Sequence, residues 1–226
     1  MTHKRSVPGV AFSSWQHMRS RVRILKKSGY NHMLYNQHNL AVAKIASKEE
    51  YKPEIAGVYF TKEKTVATDG YRLLEVSVPI GIKPEEFPVV EGKYAMRGCK
   101  PFIVPAKSLK GIKIPTSRSL PILQHVALSH VDDNRVEFMT TDLESGKVTT
   151  ARRVAGQFPD YEKIIPTGKP VIELEINADY LTELLEVMGK MSKTVKLKIY
   201  GIEKPLVLEV KTNEQTARGL LMPYKN

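Results

Sequence analysis

One cysteine, one tryptophan and no acidic residue before position 49 are the scarcities of this 226-residue chain. A lone Cys99 forms no intramolecular disulfide, and the six histidines show none of the Cys/His spacing that a structural zinc requires. No metal and no cofactor are expected. There is no run of about 18 apolar residues to span a bilayer, and the opening Met-Thr-His-Lys-Arg-Ser is not followed by the apolar stretch of a signal peptide. A cytoplasmic protein without membrane contact is therefore expected. Hydrophobic residues at 42% and charged residues at 26% are the mixture of a soluble globular protein rather than a disordered or membrane one. The length suits one large domain or two small ones.

The missing acids shape the charge distribution. Lysine plus arginine number 35 against 24 acids, yet Lys4, Arg5, Arg19, Arg21, Arg23, Lys26, Lys27, Lys44 and Lys48 all precede Glu49. The remainder is nearly neutral, so the basic character belongs to the N-terminal segment, where it suits phosphates or a charged partner. Within that segment, residues 13–28 set Trp15, Met18, Val22 and Leu25 at helical spacing, with Ser13 or Ser14 as N-cap and Gly29 as terminator. The spacing predicts a basic amphipathic helix. Two readings of it stand: Arg19, Arg21, Arg23, Lys26 and Lys27 meet nucleic acid or a partner, or they form a solvated face on a helix docked through Trp15.

From about residue 33 one plan recurs three times: a strand, a helix, then further strands rich in β-branched and aromatic residues. The first copy runs from Met33 through a short helix near Asn39 into EIAGVYF and TVATDGYRLLEVSVP. The second opens at FIVP (Phe102 to Pro105) and continues through AKSLKGIK, HVALSHV, RVEFMTTD and KVTTARRV. The third opens at VIELEI and an N-cap at Asn177, and its helix DYLTELLEVMGKM gathers Tyr180, Leu181, Leu184, Leu185 and Met188 on one face before VKLKIYG, PLVLEVKT and ARGLLMP. Each βαβββ unit is too small to bury its own sheet, so an α+β fold of sheets packed on helices, joined side by side, follows. Pro84 to Gly98 reads as the connection between the first two units and Thr167 to Pro170 as the seam before the third. The expected division is a basic extension with the amphipathic helix over 1–32, a two-unit domain over 33–166 and a one-unit half-domain over 167–226.

Three stretches in register carry a family resemblance. YKPEIAGVYF with TVATDGYRLLEVSVPIG (Tyr51 to Gly81), FIVPAKSLKGIK with RRVAGQFPDYEKIIP (to Pro166), and the terminal ARGLLMPYKN together resemble the bacterial sliding clamp, the beta subunit of DNA polymerase III. The resemblance covers residues 33–226 and implies a DNA-clamp fold. A clamp subunit has three domains of two units each, whereas this chain holds three units, so it looks like a complete middle domain plus the second half of the last one. The familiar head-to-tail dimer is not assembled from such a chain. As arithmetic only, a ring of twelve units would take four chains with half-domains completed across subunits.

The resemblance also implies a function without catalysis: a processivity factor that captures short linear motifs of DNA polymerase and other replication proteins in an apolar cleft. The matching positions are Ile55, Thr68, Gly70, Tyr71, Arg72, Leu73, Pro159, Ile164, Leu220, Met222, Pro223 and Tyr224. Their chemistry is intelligible independently. Gly70 admits a turn that keeps side chains out of the pocket floor, Ile55, Leu73 and Ile164 supply apolar walls, Met222 adapts its shape, and Arg72 suits an acidic flank. Read singly, the aliphatic members are ordinary core residues. Asp69 and Asp160 lack the further ligands and the positioned base of a phosphoesterase and are expected to bond backbone amides in turns. For double-stranded DNA, held nonspecifically by its phosphates, the candidates besides the N-terminal cations are Lys44, Lys48, Lys107, Lys110 and Lys113, with plain solvated lysines as the rival reading. The third helix is a poor match, since Asp179, Glu183 and Glu186 outweigh its cations until Lys190. A homo-oligomer that encircles DNA is the leading expectation. The alternatives are a clamp mimic that competes for clamp-binding proteins without forming a ring, and a nucleic-acid enzyme or transcription regulator reading DNA through residues 13–28.

Overall fold

A short apolar strand ahead of each helix has two backbone edges to satisfy, and where they are satisfied organises this molecule. The computed structural model describes residues 22–24, 33–81, 86–90 and 100–224 and divides the chain into two units, one up to Asp160 and one from Tyr161 onward. In the first unit, β2 (Met33–Asn36) leaves its own repeat and lies antiparallel to β8 (His125–Asp132), with Met33 facing Leu128 and Asn36 facing His125. Reciprocally, β7 (Phe102–Pro105) pairs with β3 (Gly57–Phe60). The result is two four-stranded antiparallel sheets. One is ordered β5 (Leu73–Ser77), β4 (Lys64–Thr68), β3, β7, and the other β10 (Gly146–Arg152), β9 (Arg135–Thr141), β8, β2.

Because each sheet borrows a strand, the two share one core. Tyr35, Val58, Phe60, Phe102, Val104, Val126, Leu128 and Phe138 are all buried in it. Phe60 is the hub, edge-on to Tyr35 at 5.1 Å between centroids and stacked on Phe102 at 5.4 Å. The helix α1 (Gln37–Ala41) is short and begins at Asn36, whose side chain accepts from the amides of His38 and Asn39 while the Asn39 side chain accepts from Asn36 N. Buried Asn39 spends its Nδ2 on Thr65 Oγ1, Val76 O and Ser77 O at 3.0–3.2 Å, tying the helix to its own sheet. Its counterpart α2 spans Ala106–Leu109 and packs on the 3-10 turn Val42–Lys44 that extends α1.

The second unit is built around α3 (Ala178–Met191), capped by the Asn177 side chain, which accepts from Asp179 N and Tyr180 N. Beneath it lies a three-stranded sheet ordered β11 (Lys196–Lys198), β12 (Leu206–Lys211), β13 (Thr216–Leu221). Met188, Leu206, Leu208, Val210 and Leu221 form a separate core, with Ile176, Leu181 and Leu184 packed against it.

The α+β class expected from the residues is the observed one. Two local expectations differ. The helix over 13–28 does not run through β1 (Val22–Ile24), which is a strand antiparallel to β6 (Pro88–Val90), inside the stretch read as a connection. Two β-branched residues flanking Arg23 suit a ladder better than a helix once a partner strand is present; the remainder of 13–28 lies outside the described residues. VIELEI (171–176) was expected to be a strand but pairs with no strand among the described residues.

The joint between the repeats is tight at Gly57, where an added Cβ would sit 2.5 Å from Ile103 Cγ2 and 2.7 Å from Val104 O. Gly57→Ala is expected to cost about 1–3 kcal/mol through forced separation of β3 from β7, read as a lower urea midpoint with an unchanged slope.

Candidate functional site

The predicted pocket residues fall into two groups, one in each unit. In the first unit the hairpin β4–β5 closes through residues 68–73, and its turn is over-determined. Thr68 Oγ1 donates to Arg72 O at 2.8 Å and accepts from Gly70 N. Asp69 Oδ1 accepts from the amides of Tyr71 and Arg72 at 3.0 and 3.1 Å, and its Oδ2 takes the Arg72 Nε at 2.9 Å. Asp69 thus bonds backbone amides, as expected of it. These amide bonds, Tyr71 N first, with the Arg72 guanidinium added, hold the carboxyl below its ordinary range. Arg72 is therefore engaged by its own loop. Gly70 has φ +91° with open space where a Cβ would stand, so glycine is required for its backbone conformation rather than for room. Tyr71 projects fully into solvent, Leu73 is half-buried opposite Thr68, and Thr68 itself is buried.

Ile55, half-buried, precedes β3 and lies at the same end of the sheet as this loop, since Tyr59 faces Val66 across the ladder. The segment leading to Pro159 arrives there too. Gly156 abuts the Glu54 side chain, and buried Phe158 stacks on Tyr59 at 4.9 Å, which leaves Pro159 exposed beside them. Residues 100 positions apart are thereby brought to one sheet end.

In the second unit Leu220, Met222, Pro223 and Tyr224 line a groove of about 840 Å³ between α3 and β13. The tail is pinned rather than loose: Tyr224 N donates to Glu175 O at 2.8 Å and Asn177 Nδ2 to Tyr224 Oη at 3.1 Å. Leu184, Met188 and Gly219 make the floor, and Tyr180, Val187, Leu220 and Met222 stand more than half exposed along its walls. Glu183 and Arg218 add charge to the lining. Sequence reasoning placed Tyr180 on the packing face of the helix and passed over Val187. Their signal was an apolar stripe wider than a three-stranded sheet can cover. Ile164 belongs to this unit, at the end of the 3-10 turn Tyr161–Ile164, and is 72% exposed outside the groove lining.

Among the DNA candidates, Lys44, Lys48, Lys107, Lys110 and Lys113 are all exposed in the first unit. The packing of Val42–Lys44 on α2 sets these two lysine groups on neighbouring segments. Lys107 is partly offset by Glu50, 3.3 Å away. Lys44 and Lys113 each stand seven residues past the first residue of their helix, so they occupy equivalent places in the two repeats. Of the N-terminal set only Arg23, in β1, is among the described residues. Among those residues no cluster of His, Cys, Asp and Glu is arranged to hold a metal, and no helix is long and apolar enough to cross a membrane.

Comparison of the whole structure with solved ones decides the fold. The DNA polymerase III beta subunit of Borrelia burgdorferi matches with a TM-score of 0.56 at 16% identity, over 92% of this chain and 53% of that one. The Caulobacter crescentus beta subunit matches at 0.55 and 21% identity, over 88% and 53%. The fold is that of the bacterial sliding clamp. A third match, a putative beta subunit from Eubacterium rectale, has a TM-score of 0.57 at 14% identity. The chain spans about half the length of these clamp subunits. No protein-family model and no curated protein matches it. The clamp architecture is therefore carried by geometry at sequence identities too low to transfer residue roles.

The depressed Asp69 carboxyl yields a signed pH dependence. Its folded pKa lies below its unfolded one, so the lock on the 68–73 turn is in force above the unfolded value and is released as pH falls through the folded value. In an NMR titration the Tyr71 and Arg72 amide shifts are expected to move with a midpoint below the usual carboxylate range, and Asp69→Asn to abolish that transition.

Proposed function

We propose that this clamp-fold chain is a DNA polymerase processivity factor that receives short apolar peptides from polymerase and other replication proteins and meets double-stranded DNA through nonspecific contacts. The observation that carries the reading is the groove between α3 and β13, a concave apolar surface of about 840 Å³ within a clamp fold. Its adaptable Met222 and exposed Leu220 and Val187 suit an apolar side chain, while Arg218 and Glu183 suit the polar backbone and flanks of an extended peptide. In the first unit the 68–73 turn, with Ile55, Leu73 and Pro159 at the same end of the sheet, is assigned as a separate contact surface, and in the second unit exposed Ile164 is assigned as a further contact. The chain acts by tethering and performs no covalent chemistry. It works in the cytoplasm, as a homo-oligomer.

The DNA role falls to Lys44, Lys48, Lys110 and Lys113, exposed cations within or just after the two short helical segments that pack together in the first unit. Such contacts neutralise phosphates and read no sequence.

Two measurements test these assignments. A fluorescently labelled clamp-motif peptide is expected to bind the full chain, and Leu73→Asp, Leu220→Asp or deletion of Met222 to Asn226 each to weaken it at least about tenfold, the loss expected when a buried apolar contact is replaced by a charge. Unchanged anisotropy titrations in all three variants, with intact circular dichroism, would refute the peptide site. For DNA, changing Lys44, Lys48, Lys110 and Lys113 together to Gln is expected to lower the slope of log affinity against log salt by about 3–4, equally for unrelated duplex sequences.

A further inference from the structure

The segment 171–176 and the strand β11 each present an open edge, and the first unit shows what such edges are for. Counted from the helix that follows, Leu174 holds the place of Met33 and Phe102, and Glu175 that of Leu34 and Ile103. One edge is used alike in both units. Val154, just past the last strand of its repeat, donates from N to Ile103 O at 2.8 Å, and Tyr224, just past β13, donates from N to Glu175 O at 2.8 Å. The opposite edge differs. That of β7 pairs with β3 and that of β2 with β8, each time a strand of the other repeat. That of 171–176 meets no strand among the described residues, and β11, which stands where β3 and β8 stand, ends its sheet.

The register of the absent pairing follows from the same ladders. Thr149 faces Phe138, Phe138 faces Leu128, and Leu128 faces Met33. Val154 lies five residues past Thr149. Tyr224 lies five past Gly219, which faces Leu208, which faces Leu197. Leu197 therefore holds the place of Leu128, and its missing neighbour is a residue in the place of Met33, namely Leu174. Leu128 is 1% exposed beneath that neighbour whereas Leu197 is 57% exposed without one. Antiparallel pairing on this register sets Glu175 opposite Lys196 and Glu173 opposite Lys198, acid against base at both positions. Lys198, whose Nζ lies 2.7 Å from Glu209 of its own sheet, then bridges two carboxylates.

We propose that the second unit is a half-domain completed by a second copy of this chain, the segment 171–176 of each copy adding as an antiparallel strand to β11 of the other. The exchange is the one the two repeats of the first unit perform within a single chain, made symmetric because both partners are the same repeat. It satisfies both open edges at once, covers Leu197, and uses neither the peptide groove nor the lysines assigned to DNA, so its failure leaves those two assignments standing, and only a monomeric chain would count against the homo-oligomer proposed above as well.

Charge reversal distinguishes this joint from any other association. The full chain at micromolar concentration is expected to scatter light with the mass of two copies or a multiple of two. Glu173→Lys with Glu175→Lys places lysine against lysine, and Lys196→Glu with Lys198→Glu places glutamate against glutamate. Either pair of changes is expected to raise the dissociation constant of the dimer at least about tenfold. An equimolar mixture of the two variants restores opposite charges at every position of both joints and is expected to recover the dimer as a heterodimer, which also shows that neither variant is merely misfolded. A monomeric wild-type chain overturns the proposal, as does a dimer that both reversals leave intact or a mixture that does not recover.

Discussion

Backbone hydrogen bonds at the edges of small sheets govern this molecule. A three-stranded sheet under one helix cannot cover its own apolar face and ends on a strand whose N–H and C=O groups have no partner. In the first unit the solution is exchange: each repeat sends its leading strand to the other's sheet. The consequences reach well past the four facing residue pairs of each exchanged ladder. Phe60 of one repeat comes to rest on Tyr35, Phe102 and Phe138, so two marginal half-cores become one. The helices that follow β2 and β7 need only one or two turns, since their task is to redirect the chain. Gly57 must be bare because β7 passes directly over it.

The same constraint separates the two units energetically. The second holds one helix, longer than those of the first, over three strands, yet its core holds few fully buried side chains, and Tyr180, Leu197, Ile199 and Tyr200 remain exposed. Here the exposed residues divide between the α3–β13 groove on one side and the β11 edge on the other, two faces with different chemistry. The groove is apolar with a charged residue on each wall. The edge carries backbone donors and acceptors with lysines on alternate residues.

Rigidity at the sheet end near Ile55 arises differently. Asp69 organises residues 68–73 by accepting three hydrogen bonds, which fixes Leu73 and turns Tyr71 outward without help from a core. The Arg72 Nε takes part in that task. Arg72, whose charge suits a partner's flank, also acts on its own loop, because one carboxylate sits beside its Nε.

Much of the architecture was legible in the residues. Alternating β-branched runs, Asn36 and Asn177 as helix caps, the recurrence of one βαβββ plan and the turn chemistry of Thr68–Asp69–Gly70 are local properties, and local physics expresses them wherever the chain folds. Helical periodicity over 13–28 was a weaker guide, because three residues of it found a strand partner at 88–90 and a ladder outcompetes a lone amphipathic turn. VIELEI has every local mark of a strand and forms none, since a strand exists only where another edge accepts it. Nor was the width of the α3 groove visible: Val187 and Tyr180 became lining residues only because the sheet beneath ends at β13. The sequence by itself determined the elements, their caps and their order, all set by interactions within a few residues. Which sheet each leading strand joins, and which apolar residues stay uncovered as a result, was decided by the tertiary structure alone, because edge pairing depends on which distant backbone arrives alongside.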